Sequence, residues 1–475
     1  MKALSRAAAA LITLVVLVNP RTAAAQGQAS DSYVLQPGQL RVQLGAAYSG
    51  YDERFGADGS EPLAGPLRQP LTAATFAPLL PLSTGLTAFL AATSAQPGAS
   101  AIAVDGTTLT LGTPNLELFE SLVRAPIEIS VGILPRVEIG VSVPVLRGEQ
   151  MIQRFTIADG TVGANPAKEA NAAVLAGIGA QWEALGRSAF LPTAGSALGV
   201  ELQARVGALT GGGSLDLPNE PGDTSLIQGQ LPSIFGVPGV RSRVDRYRLG
   251  DAQLLARVRL FSTFGDGPVP VDSARGTHLR STLLLGLRLP TGTASDTVEL
   301  LAYPYDIGYT GYSAGVLSDV FVGSRFWATV GVRLASFGSA EVPRLFAPPS
   351  APLSVPGPPV GVRVTPGSEL EVRVAPRVRL VEGISLGAEY GWTRVGATKM
   401  EESAGSGSFE TAGGSGQRVG VGLRYSTLPA FAEGRSIVPM EMELRYQRAI
   451  AGPEGAPDTG YAIFEARFLP RLWGR

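Results

Sequence analysis

The residues in this sequence best suited to chemistry are charged side chains spaced two apart. Glu371, Arg373, Arg377 and Arg379 alternate with Leu370, Val372, Val374, Val378 and Leu380. Glu128 and Glu138 stand in the same way among Ile127, Ile129, Ile139 and Val141, and Asp251, Arg257 and Arg259 lie opposite Leu254, Ala256, Val258 and Leu260. Arg288, with Arg280 and Thr282, lies opposite Leu283, Leu285 and Leu287. Charges gathered on one strand face can pair across a wet interior or set the ion preference of a pore. Glu128, Glu138, Asp251, Arg257, Arg259, Arg288, Glu371, Arg373 and Arg377 are therefore the candidate lumen-lining residues. A static ladder of salt bridges that stiffens a closed wall is the competing reading of the same set.

Other chemistry has little to work with. There is no cysteine and one histidine, His278, so thiolate catalysis and the usual zinc and copper ligand sets are excluded. His278 falls at the turn-side start of a strand, the wrong end for a Ser-His hydrolase working at the outer leaflet. No Walker-type or dinucleotide glycine motif occurs. No enzyme activity and no cofactor are expected.

The elements that must position these charges are β-strands. Arg124 to Arg147 reads as two strands around the turn Leu134-Pro135-Arg136, each with one apolar and one polar or small face. Ten further stretches share the pattern: about 40–51, 246–261, 279–290, 307–322, 325–334, 370–380, 384–393, 418–426, 438–448 and 461–468. Long connections, about 52–115 and 156–245, alternate with connections of a few residues, as in barrels with short turns on one side of a membrane and long loops on the other. The expectation is an all-β protein, a transmembrane antiparallel β-barrel of about twelve strands with long, partly helical extracellular loops.

Register follows from energy. Slipping the 370–380 strand by one residue would turn Arg373 and Arg377 toward hydrocarbon, at ~2–4 kcal/mol each near the midplane. Gly132, Gly140, Gly286, Gly331, Gly387, Gly420 and Gly422 fall on the polar face, where small residues would leave room for packed loops. Tyr247, Phe261, Phe326, Trp327, Tyr390, Trp392, Tyr425, Tyr446 and Phe468 fall near strand ends and form two expected aromatic girdles. A soluble sandwich would also alternate, but the simple aliphatic face and the lumen-type glycines favour lipid.

Residues 1–25 read as a signal peptide: Lys2 and Arg6, an apolar run from Ala7 to Val18, and an Ala-rich end before Gln26. Removing its three cations, Lys2, Arg6 and Arg21, moves the formal net charge from −1 to −4. Neither value suggests a nucleic-acid partner. Residues 26–475 are then the barrel, placed in the outer membrane of a Gram-negative-type envelope. Its expected partners are outer-membrane lipids, a small-molecule substrate and the barrel-assembly machinery, since Gly460 to Phe468 resembles the terminal-strand signal that such machinery reads.

The hairpin LPRVEIGVSVPV, then YRLGDAQLLARVRL, then LLLGLRLPTG resemble, in this order, the outer-membrane barrel family associated with aromatic meta-pathway degradation, often grouped with FadL-like transporters. The resemblance covers about 124–145 and 246–468, and implies a transporter of small hydrophobic or aromatic compounds. FadL-type proteins carry Asn-Pro-Ala in an N-terminal hatch. Here Asn165-Pro166-Ala167 lies inside the second long loop, so that role is not carried over.

Within that loop, 166–186 has helical spacing at Val174, Ile178, Trp182 and Leu185. Residues 198–209 fit either a strand or a helix, and if both segments were strands the count would be fourteen. The loop is then either a plug over the lumen or an exposed surface unit. A passive channel or transporter is the leading functional expectation. The alternative is a structural, receptor or adhesin barrel acting through its loops.

Overall fold

The computed structural model describes residues 31–56, 58–65, 68, 70–76, 79–95, 101–104, 108–222, 243–264, 276–292, 308–344, 360–402 and 407–472. The expected signal segment lies outside them. The wall consists of β1 (Leu40–Tyr51), β2 (Thr113–Leu134), β3 (Val137–Ala158), β4 (Arg243–Leu249 continued by Gln253–Ser262), β5 (Thr277–Arg288), β6 (Gly311–Val322), β7 (Phe326–Phe337), β8 (Glu369–Val381), β9 (Ile384–Val395), β10 (Gly414–Ser426), β11 (Met440–Ala451) and β12 (Gly460–Phe468). Each pairs antiparallel with its sequence neighbours, and β1 pairs with β12 from Val42↔Phe468 to Ser49↔Tyr461, which closes the ring at twelve strands. Closure pairs each of the twelve strands on both sides over at least part of its length.

Alternation decides which side each residue takes. Ile129, Val332 and Leu444 are 47%, 47% and 60% exposed on the outside, while Glu128, Asp319 and Glu371 are buried on the inside. Tyr247, Phe261, Phe326, Tyr390, Tyr425 and Tyr446 are exposed on the outer surface, and Trp392 and Phe468 partly so. Trp327 corrects the girdle expectation. It shares the parity of Thr329 and Gly331, turns inward opposite Phe321, and is 8% exposed. Proximity to a strand end in sequence carries no information about side; parity does.

The fourteen-strand alternative is also corrected. Among the described residues, 168–178 is helix α2 (Lys168–Ile178), and the ambiguous stretch is helix α4 (Ala197–Thr210). Its ends decide it: the Ser196 hydroxyl accepts from the Gly199 N–H at 3.1 Å, and Gly211 closes the helix at φ 70°. Leu198, Leu202 and Val206, four apart, then lie on one buried face. Together with α1 (Leu80–Ala92) and α3 (Glu183–Gly186), these helices enclose a core of Leu82, Leu86, Phe89, Leu175, Leu185, Leu198, Leu202 and Val206. Both long connections contribute to this cap, at the far end of the 22-residue strands β2 and β3. No helix among the described residues is long and apolar enough to cross a membrane.

Asn165-Pro166-Ala167 has a local role. The Asn165 amide donates to the carbonyls of Gly186 and Ser188 at 2.7 and 2.9 Å, and its oxygen receives Asn171 at 2.9 Å, so it ties α2 to the end of α3. A second small sheet (Ala340–Arg344, Val360–Thr365, Thr398–Glu402 and Ser408–Thr411) extends the same end of the barrel and packs Val342, Val362, Val364 and Met400 with Tyr309.

Candidate functional site: the lumen and its closed mouth

All nine charged residues singled out from the sequence lie on the inner face, and the fold sorts them into separate clusters. On one side, Arg257 of β4 reaches Glu128 of β2 at 3.4 Å and Glu138 of β3 at 3.8 Å, while Arg41 of β1 meets Glu138 at 3.1 Å. Arg259 donates to the Pro135 carbonyl at 2.6 Å and so pins the β2–β3 turn. Higher on the same wall, Asp251 receives Arg288 at 2.8 Å and the Gly292 N–H at 2.8 Å. On the other side, Arg373 pairs with Glu389 at 2.7 Å, Arg377 makes a two-pronged contact with Glu443 at 3.0 and 2.8 Å, and Glu371 takes Arg418 and Arg333. Planar guanidinium forks suit such bidentate contacts.

The sequence reading missed about as many inner charges as it named. Glu441, Glu443 and Arg445 stand two apart in β11, and Glu465 and Arg467 in β12, with the same alternation that marked β8. Arg445 meets Glu465 at 2.8 Å and Glu389 at 3.4 Å, and so extends the second cluster to β12. The glycines of β9 and β10 make room for those side chains. A Cβ on Gly422 would stand 2.7 Å from Arg445 Cγ, and one on Gly391 2.8 Å from Arg418 Nε, so the arginines lie flat against the backbone.

What joins the two clusters is a segment that no strand pattern announced. Asp31 accepts from Arg467 of β12 at 2.9 Å, with Arg424 of β10 at 3.6 Å. The next residue, Ser32, donates its N–H and hydroxyl to Asp319 of β6 at 2.9 and 2.8 Å, and its carbonyl receives Thr282 of β5 at 2.6 Å. In a twelve-membered ring β6 stands opposite β12. One dipeptide thus bridges opposite walls. The chain then runs through Val34 and Leu35, both fully buried, donates the Leu35 N–H to Glu138 at 3.1 Å, and enters β1. Gly132 is indispensable to this path, because a Cβ there would lie 2.1 Å from the Gln36 carbonyl oxygen. All these anchors lie near the ends of the short turns, so residues 31–39 occupy that mouth of the barrel.

His278 sits at this same end, at the start of β5, with its ring stacked on Phe264 at 4.4 Å. Among the described residues no group of three or more Asp, Glu or His is arranged to hold a metal ion.

Neither family models nor curated protein sequences match the chain. Among solved structures, it is similar to an outer membrane channel from Pseudomonas putida F1, with 8% identity, 94% of this chain and 100% of that one covered, and a TM-score of 0.43. It is also similar to the translocator domain of the autotransporter NalP from Neisseria meningitidis (8% identity, 98% and 96% covered, TM-score 0.32) and to the Pseudomonas putida toluene transporter TodX (8% identity, 94% and 92% covered, TM-score 0.28). The class rests on the wall itself: a closed ring, aliphatic outside and ionic inside. The chain is a transmembrane β-barrel.

Where the barrel meets its cap, one acid is held differently from those in the lumen. The aliphatic belt on β2 runs from Ile127 to Ile133, and Glu120 lies beyond it, 4% exposed. Its carboxyl takes the Tyr51 hydroxyl at 2.8 Å and the Gln150 amide at 2.7 Å. Burial pushes its pKa up to about 7, and the two hydrogen bonds offset only part of that rise.

Proposed function

We propose that this barrel is a passive outer-membrane channel or transporter for small compounds, held closed at its periplasmic mouth by residues 31–39. The observation that carries the reading is the Asp31-Ser32 bridge between β12 and β6. It consists of side-chain and backbone hydrogen bonds and ion pairs, which can exchange for water without breaking the wall. The long loops belong to the extracellular side, as the asymmetry of barrel connections implies. Small aromatic or hydrophobic compounds are the cargo class that the sequence resemblance suggests. Glu128, Glu138, Asp251, Arg257, Arg259, Arg288, Glu371, Arg373 and Arg377 then act as the charged wall of the path. The terminal strand Gly460–Phe468, seated against β1, is the element that the assembly machinery would read.

Planar-bilayer conductance tests this. Intact protein should show no steady conductance, and protein lacking residues 26–38 should show stable openings. Silence from both would remove the channel reading and favour a structural or receptor barrel. Equal steady conductance from both would remove the gate.

A further inference from the structure

Among the described residues most inner charges are paired, and the side chain of Arg124 is not. It lies on the inner face of β2, four residues beyond Glu128 toward the long-loop mouth. The Arg124 side chain forms no hydrogen bond or ion pair among the described residues, and its Nε is buried without an acceptor. Among the described residues, the charged groups that act on it are two more arginines, Arg288 and Arg333, and one acid, Asp251. That acid is already engaged by Arg288 and by the Gly292 N–H. Arg333 shares Glu369 and Glu371, at 3.3 and 3.2 Å, and Glu371 also serves Arg418.

A guanidinium whose Nε is sequestered without an acceptor is costly, and costlier beside two like charges. The wall could have removed the cost with a neutral residue at position 124. Instead it keeps a planar fork suited to two-pronged binding of an oxyanion. Tyr309 beneath the Arg288 guanidinium, 5.1 Å from its ring centre, holds a second fork in place. We propose that Arg124, Arg288 and Arg333 form a mid-lumen binding site for a small oxyanion, a carboxylate or a phosphate. The site lies on the long-loop side of the N-terminal closure, where an incoming solute arrives first. Its part in permeation rests on the channel reading; its binding of oxyanions does not.

Calorimetric titration of intact refolded protein with potassium acetate, and separately with potassium phosphate, tests the binding. At least one should bind, and Arg124→Gln should weaken that binding tenfold or more, while Arg187→Gln, in the cap, leaves it unchanged. Loss for one probe alone assigns the site to that class. If Arg124→Gln fails to refold, Arg124→Lys, which keeps the charge and loses the fork, should still weaken binding several-fold. No heat with either probe, or equal affinities in wild type and variant, overturns the site. The permeation arm uses protein lacking residues 26–38 in a KCl gradient, where Arg124→Gln should shift the reversal potential toward cation preference. Absent conductance there would sink the channel reading and leave the calorimetry standing. An unmoved reversal potential in a conducting channel would remove the site from the path.

Discussion

The barrel and its cap bury the same kinds of residue in opposite senses. In the wall, Val374, Leu386 and Val421 point outward while Arg373, Glu389 and Glu443 are enclosed. In the cap, Leu86, Phe89, Leu175 and Leu202 are enclosed, while Lys168 and Glu169 of α2 face water. A single chain therefore contains both an inside-out and an ordinary core, and only the surrounding solvent differs. Amphipathic periodicity tells which residues share a face but not which solvent that face meets. The cap even borrows the wall's device once: Arg205 and Glu201, one helical turn apart, form a 2.6 Å ion pair inside the apolar core, with Arg205 also donating to the Leu90 carbonyl at 2.6 Å.

Several substitutions would break or sharpen this contrast. The largest effect is expected from Phe89→Ala, which empties a fully buried site packed edge-on against Trp182 at 5.3 Å and should cost ~3–5 kcal/mol. The loss should be confined to the cap: limited proteolysis within 80–210 should accelerate, while heat-modifiable gel migration of the barrel stays unchanged. Loss of both would mean that the two cores fold as one unit. Val374→Arg is the mirror experiment, placing a cation on the lipid face at ~2–4 kcal/mol if near the midplane. It should lower the urea midpoint of the membrane-inserted barrel and leave cap proteolysis alone; an unchanged midpoint would argue against lipid on that face.

At the junction, Glu120 gives a pH dependence. Its folded pKa, about 7, lies above the usual value of 4.5, so the stabilisation is fully present below about pH 4.5 and is lost as pH rises through 7. The full swing is on the order of 3 kcal/mol. Glu120→Gln should flatten the dependence, and hydrogen exchange near Tyr51 and Gln150 at pH 5 and 8 reads it; a variant as pH-sensitive as the wild type would disprove the assignment. The smallest effect is expected for Arg187→Ala, whose pairs with Glu169 and Glu183 at 3.1 and 2.9 Å are solvent-exposed. Less than ~0.5 kcal/mol should be lost from cap stability, as measured by proteolysis kinetics.

Much of the wall was legible because alternation is local. Each strand advertises its faces by parity, and the energetic cost of Arg373 or Arg377 in hydrocarbon makes the register unambiguous. Trp327 was misplaced because its distance from the strand end was weighed and its parity was not. Leu198–Leu209 stayed ambiguous because four-apart leucines also fit alternate positions of a strand, and only the Ser196 cap and the left-handed Gly211 separate the two. The partners of the named charges were not legible: Arg377 lies 66 residues from Glu443, and nothing in either strand specifies the other.

By itself, then, the amino-acid sequence determined the strand pattern to between twelve and fourteen, the aliphatic face and the shared opposite face of Glu128, Asp251 and Arg373, since these depend on side-chain period and the cost of charge in lipid; the two loop helices that fix the count at twelve are a finding of the structure. Only the tertiary structure decided that β1 closes on β12, that Asp31 and Ser32 join opposite walls, and that Arg124 is left facing Arg288 and Arg333. Those are juxtapositions of residues far apart in the chain. They arise from how a closed ring folds back on itself, and local pattern carries no record of it.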